Sequence, residues 1–342
     1  MARATRATQV ELDAAVQALR AGDVVAFPTE TVYGLGANAQ HESAVRKVFE
    51  LKGRPATHPL IVHLDSARFL HRWARTVPAA AARLAERFWP GPLTLVLPRA
   101  ENVLDVVTGG QDTVAIRVPA HPMAQQLLTA FGGGIAAPSA NRYGHVSPTR
   151  AEHVREEFGE AVRVVMDGGE CKLGLESTIV ACLDDAVRLL RPGGITLAQL
   201  RREVGEVTAG AAADAPRVPG STPAHYAPAT PLRLVPGGHI ERLADELSRG
   251  GTRIGVLAQR PPLGSFRHVT WVNAGTRPES YAHDLYAHLR GLDKVGASCL
   301  LVQEVPGDER WDAVRDRLSR AAAAHAATDA ASTDSVETGE LP

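Results

Sequence analysis

Apolar and polar positions alternate along this chain in two rhythms, one of helical spacing and one of short runs. Leu12, Ala15, Val16 and Leu19 recur at helical spacing behind a capping-box pattern of Thr8 and Glu11, and Gly22 is placed to end that helix. The run Val24 to Phe27 predicts a strand. Helical spacing returns at Val45, Val48 and Phe49, with Ser43 as candidate cap and Gly53 as stop, before a strand at Leu60 to Leu64. Helices are predicted near Ser66 to Trp73, over Pro78 to Phe88 and over Pro122 to Phe131, with strands at Leu93 to Leu97 and Thr113 to Val118 between them. Ser147-Pro148-Thr149 opens a charged helix. Strands at Val162 to Met166, Ser177 to Cys182 and Ala186 to Leu190 and a helix from Thr196 to Val204 close this half.

From Val207 to Pro231 the periodicity lapses into Ala, Gly and Pro, which reads as a linker interrupted by His225 and Tyr226. Beyond it the order is strand (Leu232 to Val235), helix (Ile240 to Ser248), strands (Arg253 to Ala258, His268 to Val272), helix (Pro278 to Leu292), strand (Cys299 to Gln303) and helix (Glu309 to Ala322). That rhythm suits a small parallel or mixed α/β sheet. The expected division is therefore 8–205, a linker at 206–231, a smaller α/β domain at 232–322, and a disordered acidic tail at 323–342.

Length agrees with two domains, because single cores stop growing near roughly 250 residues and the chain has 342. A net charge of −1 gives no global attraction to nucleic acid or to an anionic membrane, so an RNA role needs a local patch. One candidate lies between His41 and Arg99, with ten Lys or Arg against four acids. It sustains a competing expectation: an RNA-binding module without ATP chemistry. Cys171, Cys182 and Cys299 form neither a CxxC pair nor an even set, so no disulfide framework or thiolate zinc site is expected and a reducing compartment fits. The N-terminal stretch lacks the apolar run of a signal peptide, and no stretch reaches the roughly 20 apolar residues of a membrane span. A cytoplasmic protein with no membrane contact is expected.

The chemistry-bearing side chains fall in loops at predicted strand ends. Lys52 and Arg54 leave a helix C-terminus stiffened by Pro55 and Pro59, which suits them to phosphate charge. Ser139 and Asn141 offer directional hydrogen bonds, Ser147 begins a helix, and Arg191 stands beside two glycines. Arg117 ends an apolar strand, either as a carboxylate clamp or in a structural ion pair with an unseen acid. There is no Gly-Lys dipeptide for a Walker loop, and Gly34-Leu35-Gly36 lacks the third glycine of a dinucleotide loop. His58 and His63 do not match a zinc motif, and no GxSxG elbow exists, so neither a resident metal nor a serine nucleophile is expected.

Several spaced blocks resemble the YrdC-like family, the family of threonylcarbamoyl-AMP synthases: Pro28-Thr29-Glu30-Thr31-Val32-Tyr33-Gly34-Leu35, Lys52-Gly53-Arg54-Pro55 with Pro59-Leu60, Trp89-Pro90-Gly91-Pro92-Leu93-Thr94, Arg117 with Pro119, Pro138-Ser139-Ala140-Asn141, and Glu176-Ser177-Thr178. The match covers roughly residues 10 to 205, and His225-Tyr226-Ala227-Pro228 with the α/β domain after it resembles the family's long form. The resemblance implies an α/β fold with a twisted open mixed sheet and a large positively charged cavity, plus a smaller Rossmann-like α/β C-terminal domain. It implies that L-threonine, bicarbonate and ATP with Mg²⁺ give threonylcarbamoyl-AMP and pyrophosphate, ahead of a tRNA threonylcarbamoyl transferase machinery. By match of motif, Thr31, His63, Arg117, Ser177 and the backbone at Ala137 should hold threonine. Lys52, Arg54, Thr113, Ser139, Asn141, Ser147, Arg191 and Tyr226 should hold the nucleotide, with Lys52 and Arg54 catalytic and Tyr226 acting as a lid. Position 58 carries His58 where the family commonly carries Asn; an imidazole can also donate one hydrogen bond there.

Overall fold

The computed structural model describes residues 6–183, 186–210, 215–222 and 224–334, with side chains described up to 325. The chain divides into two compact units, Met1–Tyr143 with Ser147–Ser221, and Gly144–Val146 with Thr222–Pro342.

In the first unit the elements follow in the order α1 (Gln9–Arg20), β1 (Val25–Phe27), β2 (Gly34–Asn38), α2 (Glu42–Lys52), β3 (Ile61–His63), α3 (Ala79–Phe88), β4 (Leu93–Pro98) and α4 (Asp105–Thr108). Then come β5 (Thr113–Arg117), α5 (Pro122–Phe131), β6 (Ile135–Ala136), α6 (Ala151–Phe158), β7 (Val164–Val165), β8 (Thr178–Leu183), β9 (Ala186–Arg191), α7 (Leu197–Val204) and β10 (Thr208–Ala209). The ten strands form one mixed sheet, ordered β10-β9-β8-β4-β5-β3-β6-β2-β1-β7. The Thr8 capping box is present as the sequence predicts. Ser43 is not the cap of α2. That helix starts two residues earlier than such a cap implies, with His41 at the cap position making no side-chain cap bond, and ends at Gly53 in the left-handed region, φ 63°.

Side-chain alternation splits the middle of this sheet into two unlike faces. Leu60, Val62, Leu64, Leu93, Leu95, Leu97, Val114, Ile116, Val180 and Cys182 join one apolar core, against residues of α3, α4 and α7. Their neighbours by one residue point the other way. On that second face Ile61, Val96, Ala115, Ile179 and Ala181 form a smaller cluster with Val218. Two residues further along β3, β4, β5 and β8 on the same side are His63, Thr94, Arg117 and Ser177, so the polar row is a continuation of an apolar stripe. Two further cores bind α1 and α5, and α2 and α6, to the β1–β2 region.

The sequence missed β2, because Gly34 and Gly36 belong to a residue type depleted in strands; it pairs antiparallel with β1 and with β6. It also gave too much to the linker. β10 pairs parallel with β9, and the first unit extends to Ser221, with Val218 buried and the Pro219 carbonyl accepting from Arg191.

The second unit holds β11 (Leu232–Val235), α8 (Ile240–Ser248), β12 (Ile254–Ala258), β13 (Val269–Asn273), α9 (Pro278–Asp293), β14 (Cys299–Gln303) and α10 (Asp312–Asp334). Its four strands, ordered β11-β14-β12-β13, are all parallel, as expected of a Rossmann-like sheet. The expected end at Ala322 falls short. α10 continues to Asp334 through an alanine-rich stretch, where alanine's helix propensity outweighs the acidic composition; residues 335–342 of the expected tail lie outside the described residues. Among the described residues, no helix is long and apolar enough to cross a membrane.

Candidate functional site

The polar row is held in register by the ladder itself. β3 and β5 run parallel with His63 opposite Arg117; β5 and β4 run antiparallel with Arg117 opposite Thr94; β4 and β8 run parallel with Thr94 opposite Ile179. Ser177 sits just before β8, and its hydroxyl meets that of Thr94 at 2.7 Å. Arg191, at the end of β9, donates to the Ser177 carbonyl from Nη2 (2.8 Å) and Nε (3.2 Å), to Ser177 Oγ (3.2 Å), and to the Pro219 carbonyl (2.8 Å). Gly193 permits this approach, since a Cβ there would lie 2.3 Å from the Thr178 nitrogen.

The loop between β1 and β2 closes over Arg117. Its Nη1 donates to Thr31 Oγ1 (2.8 Å), its Nη2 to Glu30 Oε1 (2.7 Å) and its Nε to the Gly91 carbonyl (3.3 Å). Thr31 is braced by Thr29, whose hydroxyl lies 2.7 Å away. Glu30's other oxygen accepts from the backbone N–H of Ala120 at 2.9 Å. The unseen acid of the sequence reading is therefore Glu30, and the pair is buried, with side chains 4% and 8% exposed. Beside it His63 is held well below its ordinary range, at about 3, first by burial and then by the Arg117 charge, so its ring is neutral at physiological pH. His63 Nδ1 is buried without a hydrogen-bond partner among the described residues. The Ala137 nitrogen donates to the Ile61 carbonyl at 2.9 Å. Thr31, His63, Arg117, Ala137 and Ser177 are thus all placed around the ends of β3, β5 and β8.

The second predicted group gathers around the exit of α2. Lys52 and Arg54 are 3% and 7% exposed, which excludes a solvated basic loop. Lys52 Nζ donates to the Ser139 carbonyl at 2.7 Å and also to that of Asn141, while Tyr143 donates its backbone N–H to the Lys52 carbonyl (2.8 Å). Burial, then the Arg54 charge, depress the Lys52 ammonium well below the ordinary lysine range, while Glu157 and Glu176 act weakly in its favour. Arg54 donates to the Pro59 carbonyl at 3.0 Å and lies 6.0 Å from the Tyr143 ring centre; His58 meets the same ring edge-on at 5.5 Å. Burial, then Arg54 and Arg217, lower the His58 pKa. Ser147 donates to Glu176 Oε1 at 2.6 Å. Ser139 bridges Gly34 by its backbone, and half-buried Thr113 opens β5 opposite Pro98.

Tyr226 belongs to the second unit. It is buried in the left-handed region, φ 62°, 4.2 Å from the His225 ring, stacked with Tyr286 at 6.0 Å, and under the Arg317 guanidinium at 5.0 Å. A non-glycine residue held there is strained unless its surroundings fix it, and these three contacts supply that.

Sequence reasoning gave no role to Glu30, Thr94, Tyr143 or Glu176. Glu30 and Glu176 stand inside the motif blocks next to Thr31 and Ser177, and that adjacency was their only signal. The arrangement offers a guanidinium at Arg117 and two further basic side chains at Lys52 and Arg54, with hydroxyl groups around the first.

The fold and site define an α/β protein with a buried polar binding face at the ends of its central strands. The family model Sua5/YciO/YrdC, described as telomere recombination, matches residues 17–193, and one described as threonylcarbamoyl-AMP synthase, C-terminal domain, matches 195–323. The chain belongs to the Sua5/YciO/YrdC family. It is 42% identical over 314 residues to the threonylcarbamoyl-AMP synthase of Pyrococcus abyssi, covering 89% of this chain and 91% of that one. The Bacillus subtilis protein of the same name is 42% identical over 313 residues, covering 89% and 90%. The crystal structure of P. abyssi Sua5 complexed with L-threonine superposes with a TM-score of 0.85 at 40% identity, covering 94% of this chain and 96% of that one.

Proposed function

We propose that this chain is a threonylcarbamoyl-AMP synthase, forming L-threonylcarbamoyladenylate and pyrophosphate from L-threonine, bicarbonate and ATP for N6-threonylcarbamoyladenosine in tRNA. The single observation that carries the reading is identity of 42% along nearly the whole chain to a relative of that name, with a threonine-complexed neighbour of the same architecture.

The geometry supplies a route. Threonine's amine and bicarbonate condense to a carbamate, whose oxygen attacks the α-phosphorus of ATP as pyrophosphate leaves. No protein nucleophile is needed, so the protein's task is positioning and charge stabilisation. Arg117 and Thr31 take the threonine carboxylate, with the neutral ring of His63 opposite Arg117 in the ladder. Lys52 and Arg54 take phosphate oxygens. Burial, then the Arg54 charge, depress the Lys52 ammonium, and a triphosphate between the two side chains would offset both by favouring the charged form. Mg²⁺ would enter with ATP, held by its phosphate oxygens.

Pyrophosphate release, measured with threonine and bicarbonate each omitted in turn, tests the reading. The expected result is release that requires both, with carbon from labelled bicarbonate in the adenylate. Salt-dependent RNA binding with no pyrophosphate release would overturn it in favour of an RNA-binding module.

A further inference from the structure

Arg117 and Glu30 form a buried pair whose charges sum to zero. Of the titratable groups that interact with the pair, burial lowers the pKa of both His63 and His121, and burial raises the Cys171 thiol far above its ordinary range. The next cation along the row, Arg191, lies beyond Ser177, bound to that residue's carbonyl and hydroxyl. A lone guanidinium in such a place would attract any small anion, bicarbonate and phosphate included. A neutral pair behaves differently. A ligand carrying both carboxylate and ammonium leaves the buried site neutral, whereas a plain carboxylate leaves one uncompensated charge inside it.

Three of Arg117's five N–H groups are spent on Gly91, Thr31 and Glu30, which leaves two without a partner among the described residues. Glu30 keeps lone pairs beyond the two it uses for Arg117 and Ala120. We propose that Glu30 is a specificity-determining residue of this subsite, making it select a zwitterionic amino acid over a plain carboxylate by neutralising Arg117 within the buried pair. This rests on the reading that Arg117 receives the carboxylate of threonine.

The test compares, by calorimetry on the full chain, the affinities of threonine and of 3-hydroxybutyrate, its skeleton without the amine. The wild-type protein is expected to favour threonine at least 30-fold. In Glu30→Gln threonine should weaken and 3-hydroxybutyrate tighten, narrowing that ratio at least tenfold. A merely structural role would weaken both alike, and an unchanged ratio overturns the proposal. Glu30→Asp keeps the charge and should hold the ratio within threefold of wild type; a collapse there would make geometry the cause and overturn it equally. Should Glu30→Gln not fold, the Asp variant and the wild-type ratio decide, since a wild-type ratio near one refutes the idea alone. A wild-type protein that binds no threonine overturns the functional reading as well. One that releases pyrophosphate with threonine while the Gln variant keeps the ratio overturns only the role of Glu30.

Discussion

The two units differ most in what they bury. Of the nineteen polar or charged side chains buried among the described residues, seventeen lie in the first unit and two, His225 and Arg317, in the second. The second unit covers its parallel sheet with apolar residues such as Val235, Ile254, Val256 and Leu301. The first lines one face of its central strands with hydroxyls, a histidine and an ion pair. Polar groups taken out of water must be hydrogen-bonded throughout, which constrains sequence without adding much net stability. The second unit's interior asks for shape, whereas the first also asks for a partner for each buried polar group.

The contrast can be broken at several places. Lys52→Ala or Arg54→Ala should lower threonine- and bicarbonate-dependent pyrophosphate release by about 100- to 1,000-fold, the range for one charge-stabilising donor, while circular dichroism still reports a folded chain. Retained turnover in a folded variant would remove that cation from the phosphate site. Arg117→Ala leaves the Glu30 carboxylate buried and unpaired, so urea unfolding of the first unit should show a loss of about 3–5 kcal/mol. A loss below about 1 kcal/mol would mean the pair is far better solvated than its burial implies. In the second unit, Leu301→Ala removes buried apolar atoms and leaves a cavity without touching a polar group, with an expected loss of about 3 kcal/mol.

Smaller effects sharpen the picture. His63 is buried neutral, with its pKa at about 3 against an ordinary 6.5, so between those values the unfolded chain binds the extra proton. Its contribution to stability is present above pH 6.5 and is lost as pH falls toward 3, with a slope of up to about 1.4 kcal/mol per pH unit. His63→Gln should flatten that acid limb in pH-dependent unfolding; an unaltered limb would assign it to other groups. Leu263, 82% exposed in the loop before β13, should tolerate Leu263→Ser within about 0.5 kcal/mol in the same assay.

Much of this was legible in the sequence, unevenly. α5, α8, β11 and β14 fall where spacing puts them, because capping residues, helical periodicity and short apolar runs are local signals. The motif blocks also singled out Lys52, Arg54, Arg117 and Ser177, all of which the fold buries. What bound them together was not readable. Glu30 and Arg117 are 87 positions apart, and they meet only because the sheet order sets β5 beside β3 and the β1–β2 loop over both. The basic stretch between His41 and Arg99 likewise changes meaning once folded. Lys52 and Arg54 are buried, and Arg46, Lys47, Arg68, Arg87 and Arg99 each face an acid, so seven of its ten cations are already engaged.

The ladder that carries His63, Arg117 and Thr94 has a further implication for how this chain tolerates change in length. Successive strand residues point to opposite sides, so one inserted or deleted residue inside β5 turns Arg117 away from Glu30 and into the apolar core behind it. A point substitution in that strand leaves the facing of its other residues unchanged. An indel within it reverses the facing of every residue beyond it, so a change of length is better accommodated in the loops on either side of β5.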